Sequence, residues 1–456
     1  MLHNNPLINQ GNLWQALTGN SRSTVTSENF QQAIGHNVNT PTTITGAALT
    51  RVNNTKPASL DLKFTPQTDD SYYLTIGNGL PIKDFDLLQR ANNDYTTIDL
   101  EHAEELAYRE LIDSIRYISL GDECGVMGNI ANIITYKGRF YIQEEQFDRV
   151  FIYDDTGRCL KKIDNKGRGP GEYLRIESID INTEKEELML VDGMSDKLFF
   201  YDLDGNFKSI HSIRYFQTEN TLCLRDSVFL HISAPSQNFG NEGLYGYALV
   251  LSKGNENFLK GYRYLPLQVG YKGGGQIFKG YERSCYHPIY SDTIYQILSD
   301  TTYGPIFYFK IKNSSWEKYH NSDRFVDIDG SEEGVFTLLY ENQDFFLGYI
   351  ADKKKKGNYM QPFLYDKMKD KTYLLRWCDY YEHLKELDYF EGYEARGIFE
   401  DYFIAHVSFS TLDQYNIFER VKDGALKITN PELERVIQNL NTDSNPVLIL
   451  TKFKHL

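Results

Sequence analysis

Apolar and polar positions alternate along most of this chain in short runs of four to eight residues, and turn-forming residues separate the runs. That spacing is the signature of β-strands joined by tight connections. Within it one pattern occurs twice. Asp148-Arg149-Val150-Phe151-Ile152-Tyr153-Asp154-Asp155-Thr156-Gly157-Arg158 returns as Asp196-Lys197-Leu198-Phe199-Phe200-Tyr201-Asp202-Leu203-Asp204-Gly205-Asn206, 48 residues later. Around the second copy four strands are predicted: Ile176 to Ile181, Glu187 to Val191, Leu198 to Tyr201 and Phe207 to Ile213. Asp202-Leu203-Asp204-Gly205-Asn206 supplies the positive φ angles of a tight hairpin. Each repeat is thus a four-stranded antiparallel meander. One such sheet cannot cover both its faces, whereas meanders set side by side around an axis bury those faces between neighbours. The expected architecture is an all-β propeller of four-stranded blades.

The repeat weakens further on. Asp292-Thr293-Ile294-Tyr295 restarts it at twice the 48-residue interval, and the intervening Tyr247 to Leu251 keeps the strand without the Asp. Further strands are predicted at Ile115–Leu120, Ile130–Thr135, Phe140–Ile142, Thr221–Leu224, Val228–Ile232, Ile306–Ile311, Gly334–Tyr340, Phe345–Ile350, Pro362–Tyr365, Lys371–Trp377 and Tyr402–Val407. A single clear helix begins at Asn430-Pro431, with Leu433, Val436, Ile437 and Leu440 on one face, and Asn445-Pro446 ends it. The last strand, Val447 to Phe453, is placed to pair with Ile115–Leu120 and so close a ring.

Residues 1–95 differ from the rest. Ser, Thr, Asn and Gln dominate Thr18 to Asn54, Ser59–Phe64 and Tyr72–Ile76 read as isolated strands, and Ile82–Leu88 reads as a connector. The expected division is a polar N-terminal segment over 1–95 and the propeller over 96–456.

A formal charge of −15 disfavours a nucleic-acid surface. The basic run Lys353–Lys356 reads as a solvated hairpin tip. No run approaches the roughly 18 apolar residues of a membrane helix, and no secretory signal is visible at the start. The five cysteines, Cys124, Cys159, Cys223, Cys285 and Cys378, lack C-x-x-C spacing, so neither a zinc site nor a disulfide framework is expected.

Ile115–Leu120, Asp154-Asp155-Thr156-Gly157, Gly167-Arg168-Gly169-Pro170-Gly171-Glu172-Tyr173, His287 to Tyr295 and the closing helix with Asn445-Pro446-Val447-Leu448 resemble the six-bladed β-propeller proteins common in gut anaerobes, themselves similar to NHL-repeat propellers. The resemblance spans about residues 97–456 and implies six blades. It also implies export and a cell-envelope or periplasmic location, with a cytoplasmic one as the alternative in a chain that shows no signal.

Candidate chemistry is sparse. The loop Gly167–Tyr173 joins one blade to the next, and Arg168, Glu172 and Tyr173 are the candidate ligand-binding residues, expected at the channel mouth, where Arg could hold a carboxylate or phosphate. Asp148, Asp196 and Asp292 read as turn caps. The histidines form no metal motif, no G-x-S-x-G is present, and no cofactor is expected. Neighbouring carboxylates such as Glu144 and Glu145 face opposite ways on a strand, which suits them poorly to joint acid–base work. The expectation is a non-enzymatic propeller binding a peptide, protein or glycan, with Tyr262-Arg263-Tyr264 and Tyr380-Tyr381 as candidate aromatic contacts. A lyase or hydrolase with a channel-mouth acid–base or metal site and a structural envelope component are the alternatives.

Overall fold

The structure is a computed structural model that describes residues 62–66, 72–76, 86–87, 89–91, 94–213, 218–225, 227–233, 247–253, 257–264, 275–288, 291–299, 302–311, 335–352, 359–376, 385–388, 390 and 394–456. It forms a six-bladed β-propeller. Blade 1 is Ile130–Tyr136, Arg139–Glu144, Arg149–Asp154 and Cys159–Ile163. Blade 2 is Ser178–Asn182, Glu187–Asp192, Lys197–Asp202 and Phe207–Ser212. Blade 3 is Asn220–Arg225, Val228–Ile232, Tyr247–Lys253 and Asn257–Tyr264. Blade 4 is Gln276–Gly280, Arg283–His287, Thr293–Ile297 and Thr302–Lys310. Blade 5 is Val335–Glu341, Phe345–Asp352, Tyr359–Asp366 and Lys371–Arg376. The third strands of blades 1 to 4 are the four occurrences of the repeat read in the sequence.

Blade 6 is composite. Gly397–Phe399, Tyr402–Val407 and Val447–Phe453 come from the C-terminal part, and its outermost strand is Ile112–Ser119. The pairing runs from Val447 opposite Ser119 to Phe453 opposite Ile112. The ring therefore closes by the strand pair that the sequence suggested.

Adjacent side chains on a strand leave it in opposite directions, and here both directions are inside. Phe199 packs with Tyr141, Ile152 and Leu188 between blades 1 and 2, while Phe200 packs with Met189, Cys223 and Phe229 between blades 2 and 3. Equivalent clusters fill the gaps between blades 3 and 4, 4 and 5, 5 and 6, and 6 and 1. This is why the middle strands, such as Leu188-Met189-Leu190-Val191, read as unbroken apolar runs. Each such side chain contributes about 1.5–3 kcal/mol by leaving water.

Asp148 and Asp196, read as turn caps, enter their strands at φ 56° and 53°, a left-handed conformation that Asp tolerates better than bulky residues; the Asp148 carboxylate accepts the Ile176 N–H and pairs with Lys166 instead of capping its own turn. The Asp202 carboxylate accepts the Asp204 and Asn206 N–H groups across the hairpin that Gly205 completes at φ 79°. The predicted helix forms at Pro431–Asn439, capped by Asn430, whose side chain accepts from Glu432 and Leu433. Two short helices not foreseen, Phe409–Gln414 and Ile417–Lys422, precede it. Together they bury Leu412, Ile417, Leu433 and Ile437 against Tyr117, Val407 and Ile449 of blade 6.

Two findings correct or extend the sequence reading. Cys124 and Cys159 form a disulfide, Cα–Cα 6.0 Å, where none was expected. The two cysteines lie 35 residues apart and meet only because the segment leaving blade 6 lies against the outer strand of blade 1. The second finding concerns the N-terminal side of the ring. The stretch expected as a connector contributes Asp86–Leu87, which pairs parallel with the outer strand of blade 3. Gln89–Arg90 and Thr96–Asp99 do the same on blade 4, and Glu104–Ala107 on blade 5. The chain thus runs as a belt along three outer edges before it enters blade 6. Further upstream, Leu62–Pro66 and Tyr72–Ile76 pair only with each other among the described residues.

Candidate functional site

Antiparallel blades place two kinds of connection at opposite ends of the ring. Connections between first and second and between third and fourth strands share one end, and each spans two to four residues. Those between second and third strands, and from each blade to the next, share the other end. Among the described residues they include 120–129, 164–177 and 408–446. Long connections on a rigid scaffold are where recognition concentrates. The long-connection end is therefore the candidate functional face.

On that face, among the described residues, three large apolar side chains are exposed, on the connection into blade 1, on blade 1 and on blade 2. Val126, Phe147 and Met194 are 55%, 50% and 63% exposed. Phe147 is held in place. The Arg149 guanidinium stacks over its ring at 4.6 Å from the centroid and donates to the Val126 carbonyl at 3.3 Å. The same Arg149 donates through Nε to the fully buried carboxylate of Glu144 at 2.9 Å. Glu144 also accepts the backbone N–H groups of Gln146 and Phe147, at 3.1 and 3.2 Å. A buried ion pair so fixes both the turn and the cation that supports the aromatic ring. Glu145, its neighbour in sequence, is exposed. Aromatic residues braced by Arg are typical anchors of protein interfaces, and an anchor already in its bound geometry loses little entropy on binding.

Partly buried acidic side chains lie at the same end of blade 2. Burial raises the pKa of Glu177, partly offset by Arg175 at 3.4 Å. Burial, then the nearby Asp192, raises that of Asp196. Asp192 itself is consumed by its turn, accepting from Leu174 N at 2.7 Å and from Ser195 Oγ at 2.6 Å.

The three residues singled out in the sequence separate. Tyr173 is buried in the core between blades 1 and 2, and its hydroxyl donates to the Asp148 carbonyl at 2.8 Å and accepts from Asn165 N at 3.2 Å. Glu172 folds back on its own loop and accepts the Gly169 N–H at 2.6 Å. Arg168 is exposed and has no ion-pair partner among the described residues. The loop does join an outer strand to an inner one, but it does not sit over the axis. A Cβ added at Gly171 would meet Phe207, the first residue of the outermost strand of blade 2, at 4.0 Å. The outer strands are tilted by the twist of each blade, so a loop leaving one of them lies at the rim. Tyr262–Tyr264 ends the outer strand of blade 3. Tyr380-Tyr381 and Lys353–Lys356 lie outside the described residues.

The axial strands carry a cross-link that the sequence did not reveal. Lys279 of blade 4 reaches past blade 3 to the buried carboxylate of Asp180 in blade 2 at 2.8 Å, and donates to the Ile181 carbonyl at 2.7 Å. Asp180 also accepts the Cys223 N–H of blade 3 at 2.7 Å. This carboxylate is thus ion-paired and hydrogen-bonded across three blades. Among the described residues no group of three His, Cys, Asp or Glu side chains is placed to hold a metal ion. No described helix is long and apolar enough to cross a membrane.

Fold and face together define a six-bladed propeller with one elaborated end. A family model described as a domain of unknown function, DUF4934, matches residues 95–452, and the chain belongs to that family. A second model, described as bacterial membrane protein YfhO, matches residues 1–123. Among solved structures the chain is similar to a putative exported protein of Bacteroides fragilis, with 16% identity, 79% of this chain and 100% of the other covered, and a TM-score of 0.61. It is also similar to a DUF4221 family member from Bacteroides vulgatus, at 9% identity, with 75% and 97% of the two chains covered and a TM-score of 0.45. At 16% identity the likeness to the Bacteroides fragilis protein speaks for the fold alone. No curated protein matches the chain.

Proposed function

We propose that this protein is a non-enzymatic binding propeller of the cell envelope, built on a scaffold distantly related to NHL-repeat propellers, which holds a protein or peptide on its long-connection end. The observation that carries this reading is the braced, half-exposed Phe147, with the Val126 backbone tied to it through Arg149. An apolar anchor that remains exposed despite a buried ion pair built beneath it fits a partner surface better than it fits solvent. Three observations support the envelope. A disulfide persists in oxidising compartments, the similar Bacteroides fragilis structure is described as exported, and the family matched at residues 1–123 is described as a membrane protein.

The test is a binding screen of the labelled full chain in solution against an immobilised-peptide library and, in parallel, a glycan panel. Peptides that bind the unaltered chain lose at least tenfold in affinity on Phe147→Ser with Val126→Ser. They bind a Met368→Ser variant, altered at the opposite end where Met368 is 70% exposed, as they bind the unaltered chain. Loss that follows the Met368 variant, or glycan binding indifferent to Phe147 in place of peptide binding, overturns the reading.

A further inference from the structure

The connection 120–129 leads from the outermost strand of blade 6 into blade 1, and among the described residues it pairs with no strand. It is pinned at two points. Gly121 donates to the Gly157 carbonyl at 2.8 Å and accepts from Asn445 Nδ2 at 2.8 Å, while Met127 donates to Asn445 Oδ1 at 2.7 Å. Between these points residues 122–126 form a tip that is exposed except at half-buried Cys124. Among the described residues three single hydrogen bonds reach the tip from outside. Asn445 Nδ2 donates to the Gly125 carbonyl and Cys159 N to the Glu123 carboxylate, both at 3.2 Å, and Arg149 Nη2 donates to the Val126 carbonyl at 3.3 Å. All three are longer than the common N–H···O length of about 2.9–3.0 Å. The strong hold is covalent, from Cys124 to Cys159 at the start of the outer strand of blade 1.

We propose that the Cys124–Cys159 disulfide is a redox-operated clip on this tip. Oxidised, it docks residues 122–126 against blade 1 and keeps Val126 where Arg149 holds it; reduced, the tip swings on Gly121 and Met127 while the ring stays closed. Closure does not depend on the clip, because the strand pair from Val447 opposite Ser119 to Phe453 opposite Ile112 carries it. Gly125, at φ 96°, gives the tip a backbone free to rearrange. The chemistry needs a dithiol reductant, the class of group that thiol oxidoreductases carry. One of its thiolates attacks the half-buried Cys124 sulfur and forms a mixed disulfide, and Cys159 leaves as the thiolate. Its second thiol then displaces Cys124, so two electrons and two protons pass to the protein and the reductant ends as a cyclic disulfide. Cys223 and Cys285 do not interfere. Both are buried, and burial raises their thiol pKa values, that of Cys223 to about 12, so neither supplies a thiolate for exchange. The consequence for binding rests on the function proposed above: the reduced protein presents Phe147 braced by Arg149 and Glu144 but without Val126.

Native-state proteolysis and hydrogen exchange on the full chain, with no ligand added, test the clip independently of the binding screen. A glutamate-specific protease should cut after Glu123 at least tenfold faster once dithiothreitol has reduced the chain, while cutting after the exposed Glu145 changes less than twofold. The amides of Gly121 and Met127 should exchange within twofold in the two states. The double variant Cys124→Ser with Cys159→Ser should be cut like the reduced protein, with or without dithiothreitol. Equal cutting after Glu123 in both states, or a disulfide that resists dithiothreitol in the absence of denaturant, overturns the proposal. So does a tenfold rise in exchange at Gly121 and Met127, which would make the disulfide a seal of the ring itself.

Discussion

Asn445 Oδ1 accepts the backbone N–H of Met127 at 2.7 Å, joining positions 318 residues apart in the chain. The same side chain donates to the carbonyls of Gly121 and Gly125 at 2.8 and 3.2 Å and touches the Tyr153 hydroxyl at 3.4 Å. It sits one turn before the C-terminal strand and holds the segment that leaves the N-terminal one. The ring is thus sealed by a side chain as well as by the strand pair.

Asn445→Ala leaves the buried Met127 N–H without an acceptor, which costs about 1–3 kcal/mol beyond the bonds themselves. The expected result is a melting temperature lower by several degrees with an unchanged β-sheet circular dichroism spectrum at 20 °C. A midpoint within one degree of the unaltered protein would show that the strand pair alone seals the ring.

The Cys124–Cys159 disulfide stabilises the same seam by closing a loop of 35 residues, about 3–4 kcal/mol on the chain-entropy estimate. Thiol titration in denaturant should find two more thiols after reduction than before. Cys159→Ser should lower the denaturant midpoint and abolish that difference.

Lys279→Met strands the Asp180 carboxylate, which is 2% exposed. Because the Lys279 head is itself partly in water, the loss should be roughly 2–3 kcal/mol, below the usual range for a fully buried pair. Adding Asp180→Asn should recover part of it, since the stranded charge is then gone. A double variant less stable than the sum of the two single changes would argue against the pair.

His231 is wholly buried, with its ring nitrogens 2.9 Å from Thr221 Oγ1 and 2.7 Å from Ser252 Oγ, and burial lowers its pKa from 6.5 to about 3. His406 moves the same way, to about 4, through burial and then Arg396. Between these values and 6.5 the unfolded chain binds protons that the folded chain does not. Stability should therefore be intact above about pH 6.5 and fall as pH drops from there toward 3. Urea midpoints measured from pH 7.5 to 4 check this, and a flat profile would mean that neither imidazole is desolvated.

Within the glycine-rich loop the burden should fall on Tyr173. Tyr173→Phe deletes a buried hydroxyl that bonds two backbone groups and should cost about 1–2 kcal/mol. Arg168→Ala should stay within about 0.5 kcal/mol of the parent. The two denaturation midpoints decide between a loop kept for packing and one kept for its surface charge.

The braced Phe147 had a faint trace in the sequence, as a large apolar residue inside the polar turn Glu145-Gln146-Phe147-Asp148 that the second repeat echoes with Met194 before Asp196. Its support by Arg149 and Glu144 had none, because the two residues are five apart and meet only across a hairpin. Lys279 and Asp180 are still harder to pair, 99 positions and two blades apart.

What this chain's sequence determined by itself depends on neighbours a few residues away: strand alternation, the hairpin glycine at positive φ, the Asn430 cap, and the repeat that makes each meander unable to stand alone. Tertiary structure decided the disulfide, the axial lysine, the belt and the rim position of the Arg168 loop. Those depend on blade twist and on which edges come to lie side by side, and no short-range pattern encodes a distance between residues that only the closed ring brings together.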